Sequence, residues 1–261
     1  MIGLGLNAAK TPTTNTNIVK SVDAGGGERG SSSSQVNALV LRHDYKDRPV
    51  EPVSSGAAYF NGTSDHIQLA NAISNDVFSI SAWVNVTDDA TTKAIFDTRD
   101  ANDDGVSFII ADDEELQLQV NGSDSVMDSA VQLTAGVWQH VVGTYDGTNL
   151  KLYIDGVLAK TTADGGGSET VSVTTAARIG KKAYTNAQWF NGYMANVGVW
   201  SAALTQPQVK SIMHKDYAAL SASEKDDLVS WWNLDEETNV DGTSGTGGVK
   251  DHEGSNHGTL A

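Results

Sequence analysis

The feature that most constrains this chain is an apolar period of two. Phe78, Ile80, Ala82, Val84 and Val86 alternate with Ser79, Ser81 and Asn85, so an extended segment here is greasy on one face and polar on the other. Shorter runs of the same kind follow at 106–111 and 115–121, with the acidic turn Asp112-Asp113-Glu114 between them, and at 137–145, 150–155, 157–161, 176–182 and 189–200. Asp146-Gly147 and Asp155-Gly156 separate three of these runs. Asp-Gly between alternating apolar stretches predicts a type I′ hairpin, whose two central residues both need positive φ. Turn signals at this density, with almost no helical pattern, predict an all-β antiparallel sandwich or jelly roll. One stretch breaks the rule. Thr205–Tyr217 reads as a short helix with Thr205 as N-cap, Pro207 in its first turn and Val209, Ile212 and Met213 on one face. A second begins at Ser221, where Glu224 stands at capping-box spacing.

Composition sets the outer limits. The 261 residues suit one β-domain with an extension. No cysteine is present, so neither disulfides nor a thiolate-bound metal enter the argument. No apolar run reaches the roughly 18 residues of a membrane span. The net charge of −16 is uneven: residues 1–50 hold six Lys/Arg and four Asp/Glu, leaving −18 for the remainder. So acidic a body repels nucleic acid and anionic membranes, and neither is expected as a partner. Residues 7–36 are rich in Asn, Thr, Gly and Ser and cannot bury enough apolar surface to order themselves. Residues 1–50 therefore read as an extended N-terminal arm, with Ile2, Leu4, Leu6, Lys10 and Lys20 as candidate assembly contacts, and residues 51–261 as the sandwich. Met1–Leu6 lacks a preceding basic stretch and reads as part of this arm, not as a signal peptide.

Several segments resemble a known family. Residues 58–67 (AYFNGTSDHI) resemble the FDGxxDYV opening of laminin-G-like, concanavalin A-like jelly rolls, and 78–84 (FSISAWV) are similar to their FTISAWV strand. Residues 133–141 (LTAGVWQHV) with 144–147 (TYDG), 150–156 (LKLYIDG), and 190–197 (FNGYMANV) with 203–205 (ALT) match later blocks in the family's order. The resemblance covers about residues 56–216 and implies a concanavalin A-like jelly roll. One block is out of place. Residues 228–236 (LVSWWNLDE) and 250–260 (KDHEGSNHGTL) resemble the family's first strand and its following turn, which usually precede the FDGxxDYV block. The displaced block at 228–260 is expected to close its own sandwich, the alternative being that it adds to a neighbouring copy. Blocks of this type also resemble parts of marine bacteriophage structural proteins.

Each chemical candidate has a bland competitor. Glycosidases of this fold need paired carboxylates on one strand face; Asp112-Asp113-Glu114-Glu115 are consecutive and lie in a turn, so no enzyme is expected. Calcium is the one candidate cofactor, because hard cations take carboxylate and carbonyl oxygens from loops. Asp97, Asp100, Asp103 and Asp104 are the leading ligands, Asp88, Asp89, Asp65 and Asp235 being further options, against the reading of solvated loop acids. For sugar stacking, Trp189 beside Tyr184, Asn186 and Gln188 is the candidate platform, while Trp83, Trp138, Trp200, Trp231 and Trp232 are expected to be packing residues. His140 is expected to be a packed, hydrogen-bonded histidine. The sequence leaves two functional classes. The first is a virion structural protein, a capsid decoration or tail-fibre component, arm-tethered to other virion proteins or to copies of itself and touching host glycans. The alternative is a carbohydrate-binding or adhesive module of a bacterial surface or secreted protein.

Overall fold

The computed structural model describes residues 52, 56–87, 90–122, 125–163, 170–171, 173–235 and 248–261. The N-terminal arm with Ile2, Leu4, Leu6, Lys10 and Lys20 lies outside the described residues, as do the apolar run 36–41 and the pair Asp88 and Asp89.

The alternation at 78–86 becomes strand β3 (Phe78–Val86), and it lies at the centre of sheet A. With β1 (Ala58–Asn61), β8 (Gln139–Tyr145), β9 (Asn149–Ile154), β10 (Val157–Ala163) and β12 (Asn191–Trp200) it forms the antiparallel order β1-β12-β3-β8-β9-β10. Strand β13 (Leu228–Trp232) also pairs with β12. Sheet B contains β2 (Ile67–Leu69), β4 (Lys93–Asp97), β5 (Val106–Ile110), β6 (Glu115–Val120), β7 (Ser125–Gln132), β11 (Arg178–Ile179), β14 (Gly248–Val249) and β15 (Gly258–Leu260), in the order β14-β15-β2-β11-β4-β5-β6-β7. The apolar faces of the two sheets close on one another. Phe78, Ile80, Ala82, Val84 and Val86 of β3 join Phe96, Phe108, Leu116, Leu118, Val141, Tyr145, Leu152 and Trp232 in this core. Each such large side chain contributes about 1.5–3 kcal/mol by leaving water. The chain is thus a two-sheet antiparallel β-sandwich with two short C-terminal helices.

The displaced block enters both sheets of its own chain. Strand β12 is long enough to carry two short partners end to end along one edge: β1 against Asn191–Met194 and β13 against Val197–Trp200. A bulge between Ala195 and Gly198 separates the two registers. Strand β15 pairs with β2, and β14 with β15.

The outward face of β3 is buried as well, contrary to a simple two-faced strand. Helix α1 (Gln206–Ile212) and helix α2 (Ala222–Lys225) cap the adjacent half of sheet A. Val209 and Ile212 of α1 join Val142, Tyr153, Trp200, Leu204, Leu220 and Trp231 in a second apolar cluster. Trp83 Nε1 donates to the Met213 carbonyl at 2.8 Å, and Trp200 Nε1 to the Glu224 carbonyl at 2.9 Å. Both helices start where the sequence predicts, each with a complete capping box, but α1 stops at Ile212 rather than continuing to Tyr217. Of the two Asp-Gly turns, Asp155 (φ 49°) and Gly156 (φ 73°) have the predicted pair of positive φ angles. At the other, Asp146 sits one position earlier, its carboxylate accepting the Thr148 and Asn149 N–H groups at 3.0 and 2.6 Å, so the chain turns over Gly147 and Thr148. The segment 176–182 forms only a two-residue strand, because the backbone turns at Gly180 (φ 85°), where an added Cβ would strike the Phe60 ring.

Candidate functional site

The loop between β11 and β12 holds the predicted sugar platform. Trp189 is half-buried there, with Lys181 Nζ 4.3 Å above its ring and the His66 ring edge-on at 5.5 Å. Its predicted partners have duties of their own. Asn186 Oδ1 accepts from Lys181 Nζ at 2.6 Å, Tyr184 Oη donates to Asp103 Oδ1 at 2.7 Å, and Gln188 Oε1 accepts from Arg99 Nη2 at 3.3 Å. The loop is therefore pinned in one shape, with one face of the Trp189 ring already under a cation.

Two of the predicted calcium ligands meet the same loop. Asp97 is fully buried: one oxygen accepts the Ala183 and Arg99 backbone N–H groups at 3.0 Å each, and the other faces the Arg99 guanidinium at 3.0 Å. Asp103 is 3.3 Å from Lys182 and 3.6 Å from Arg99. The Tyr184 hydroxyl, assisted by Lys182 and Arg99, holds its carboxyl below the usual range despite the opposing effect of burial. Asp100 accepts the Asn102 and Asp104 N–H groups at 2.8 and 3.2 Å and so shapes its own turn. Among the described residues, no group of three or more His, Asp or Glu side chains is arranged to hold a metal ion. The turn acid Glu114 is not merely solvated either, since it lies 3.1 Å from the buried Lys93 ammonium.

One arrangement of a serine and a histidine could suggest hydrolysis. Ser81 Oγ and His140 Nε2 are 2.8 Å apart. Both are buried beneath the α1 segment, at 0% and 2% exposure. Asp155 accepts the backbone N–H of His140 at 2.8 Å, while His140 Nδ1 has no partner. A nucleophile pair needs an orienting carboxylate on the ring and access for substrate; this one has neither. Burial, with a lesser push from His214, lowers the His140 pKa to about 3, so it is a neutral packing residue.

A different surface was not found from sequence. Tyr59 on β1 pairs with Tyr193 on β12, Tyr193 pairs with Asn85 on β3, and the β3–β8 register that joins Val84 to Gln139 brings Trp138 next to Asn85. Tyr, Tyr, Asn and Trp thus form one row across four neighbouring strands on the outward face of sheet A. Strand spacing makes this row roughly 14 Å long. Tyr59 is 55% and Tyr193 46% exposed. Their ring centroids lie 5.0 Å apart, and Trp138 is 6.4 Å from Tyr193. Trp138 is therefore half-buried on an outer face, one residue before β8, and not a core residue as the sequence suggests; Trp83, Trp200, Trp231 and Trp232 are buried. The turn of β12 that sets this row depends on Gly192 (φ 134°), where any Cβ would collide with the Asn85 carbonyl. A groove of about 330 Å³ is lined by Tyr59, Asp65, His66 and Leu260.

Residues 61–210, more than half of the chain, match the family described as the Concanavalin A-like lectin/glucanases superfamily. The chain belongs to that superfamily. No curated protein matches it. Among solved structures, it resembles a Bacteroides ovatus protein to which carbohydrate binding has been provisionally assigned, with TM-score 0.61 and 23% identity over 78% of this chain. The chain spans 57% of the length of that protein. It also resembles the heptameric SAP-like pentraxin of Limulus polyphemus, with TM-score 0.50 and 22% identity over 59% of this chain and 80% of the pentraxin. At these identities the likeness is one of fold.

Proposed function

We propose that this chain is a non-catalytic carbohydrate-binding module of an extracellular or cell-surface protein, and that it holds a glycan along the Tyr59–Tyr193–Asn85–Trp138 row. The observation that carries this reading is the row itself. Exposed rings at strand spacing present apolar faces to the C–H surface of sugar rings, and the Asn85 amide between them, whose Nδ2 donates to the Gly136 carbonyl at 3.3 Å, offers its oxygen to hydroxyls. Rigid strands pre-organise the row, so little entropy is lost on binding. Family membership and the fold shared with the Bacteroides ovatus protein support the same class. The virion role expected from the arm gains no support: the arm lies outside the described residues, and neither related structure is a virion protein.

The test is a glycan array probed with the full chain, followed by calorimetry on the best ligand. Replacing Tyr59 and Tyr193 together by Ala is expected to weaken binding about 30-fold or more, about 2 kcal/mol, with the melting temperature nearly unchanged because both rings are exposed. An array without a ligand, or a double variant that binds like the parent, would contradict the reading.

A further inference from the structure

Cations are scarce in residues 51–261, with eleven Lys/Arg against 29 Asp/Glu, yet four of them, Arg99, Arg178, Lys181 and Lys182, gather around β11 and the loop that follows. Two are neutralised at once, Arg99 by Asp97 and Lys182 by Asp103. The other two are not: neither Arg178 nor Lys181 takes part in a salt bridge among the described residues. Arg178 donates through Nε to Gln68 Oε1 at 2.7 Å and through Nη1 to the Lys182 carbonyl at 3.5 Å, both neutral acceptors. Lys181 is only 4% exposed, and its ammonium meets the Asn186 amide oxygen and the Trp189 ring.

An ammonium withdrawn from water without a counter-ion is costly, and proteins normally pair it. In a body this rich in carboxylates, a missing counter-charge at such a position is a deficit that a ligand can fill. Burial, and then the Arg178 charge, lower the Lys181 pKa; Arg178 itself lies opposite Asp97 on β4 and feels that carboxylate, which Arg99 already engages at 3.0 Å. His66 completes the corner. Its Nδ1 lies 3.1 Å from the Ser64 carbonyl, which can only accept, so Nδ1 carries the hydrogen and the neutral ring offers Nε2 as an acceptor to a hydroxyl. Burial lowers the His66 pKa, and the Lys181 and Arg178 charges act the same way against the hydrogen bond to Ser64. The corner therefore combines an aromatic ring, two cations without a salt bridge among the described residues, in a cluster where four cations face only Asp97 and Asp103, and a neutral acceptor.

Taking the chain as the glycan binder proposed above, we infer that the Arg178–Lys181–His66–Trp189 corner reads an anionic substituent on the saccharide, a carboxylate or a sulfate. The two cations supply the counter-charge, the Trp189 edge packs against the sugar ring that bears the substituent, and His66 accepts from a neighbouring hydroxyl. A planar guanidinium beside an ammonium suits either anion, so chemistry alone leaves the substituent's identity to experiment.

The test is calorimetry of the full chain with three oligosaccharides of equal length: a neutral one, its uronate counterpart and its sulfated counterpart. At least one anionic probe is expected to bind tenfold or more tightly than the neutral one. Lys181→Gln and, separately, Arg178→Gln are expected to bring that ratio close to one while leaving neutral-probe affinity within twofold. Two independent variants guard against local disturbance of the loop by either. Neutral and anionic probes bound equally by the parent, or a ratio preserved in both variants, would overturn the anion reading and leave the glycan reading standing. If no probe binds and the array is also blank, both readings fall.

Discussion

At the scale of single residues, burial decides what each polar group does. His140 is the sharpest case. Its pKa of about 3 lies below the unfolded value near 6.5 because the ring is sealed under the α1 segment. A base with a depressed folded pKa contributes nothing adverse above the unfolded value. Below it, the unfolded chain takes up a proton that the native state refuses, and stability falls by about 1.4 kcal/mol per pH unit until the folded pKa is reached. Denaturant titrations are therefore expected to show a loss of about 2 kcal/mol between pH 6.5 and 5 that is absent in His140→Gln, whose amide can still meet Ser81. Identical pH slopes for parent and variant would refute this account. The family resemblance predicted a packed histidine here. What no sequence pattern could show is that the groups opposite it, from helix and strand, leave Nδ1 without a partner.

At the scale of elements, the helical cap on sheet A is held by one acid. Burial by itself would raise the Glu224 pKa, but Lys215 Nζ at 2.5 and 2.7 Å, Ser211 Oγ at 2.6 Å and the Ser221 N–H and hydroxyl at 2.7 and 2.8 Å outweigh it and hold the carboxylate at about 2. The group thus ties the end of α1 to the start of α2. A carboxylate with a depressed pKa stabilises fully above its unfolded value, near 4.5, and the contribution is lost as pH falls towards 2. Glu224→Gln is expected to cost about 2 kcal/mol at pH 7, after allowance for the partly exposed Lys215, with the difference from the parent shrinking below about pH 4. A cost independent of pH would show that packing, not charge, binds the helices. Ser221 and Glu224 announced this box in the sequence through their spacing, whereas at Thr205 the sequence showed only the N-cap and the structure adds Gln208 to complete a second box. Strand β3 was equally plain in its alternation. Short β2 was not legible and β11 only as the overlong run 176–182, because two or three residues carry no period and are defined by neighbours 81 to 193 positions away.

At the scale of the whole molecule, the two-sheet architecture was legible because alternation, turn chemistry and family blocks all agreed. The binding surface was not. Tyr59 stands beside core residue Phe60 and Tyr193 beside core residue Met194, so their outward direction follows from alternation. That they share one row with Asn85 and Trp138 depends on strand register, which pairs residues 55 to 134 positions apart. The Trp189 cluster, by contrast, was gathered from a single loop, and its polar members proved to be occupied by neighbouring cations and acids. If the proposed function holds, sugar rings lie on the sheet A row. The most direct measurement follows the six tryptophan indole N–H signals by two-dimensional NMR while a neutral oligosaccharide selected on the array is added. The Trp138 signal is expected to move with saturation while those of Trp83, Trp200, Trp231 and Trp232 stay fixed; movement of Trp189 alone, or of none of the six, would contradict a glycan on this row.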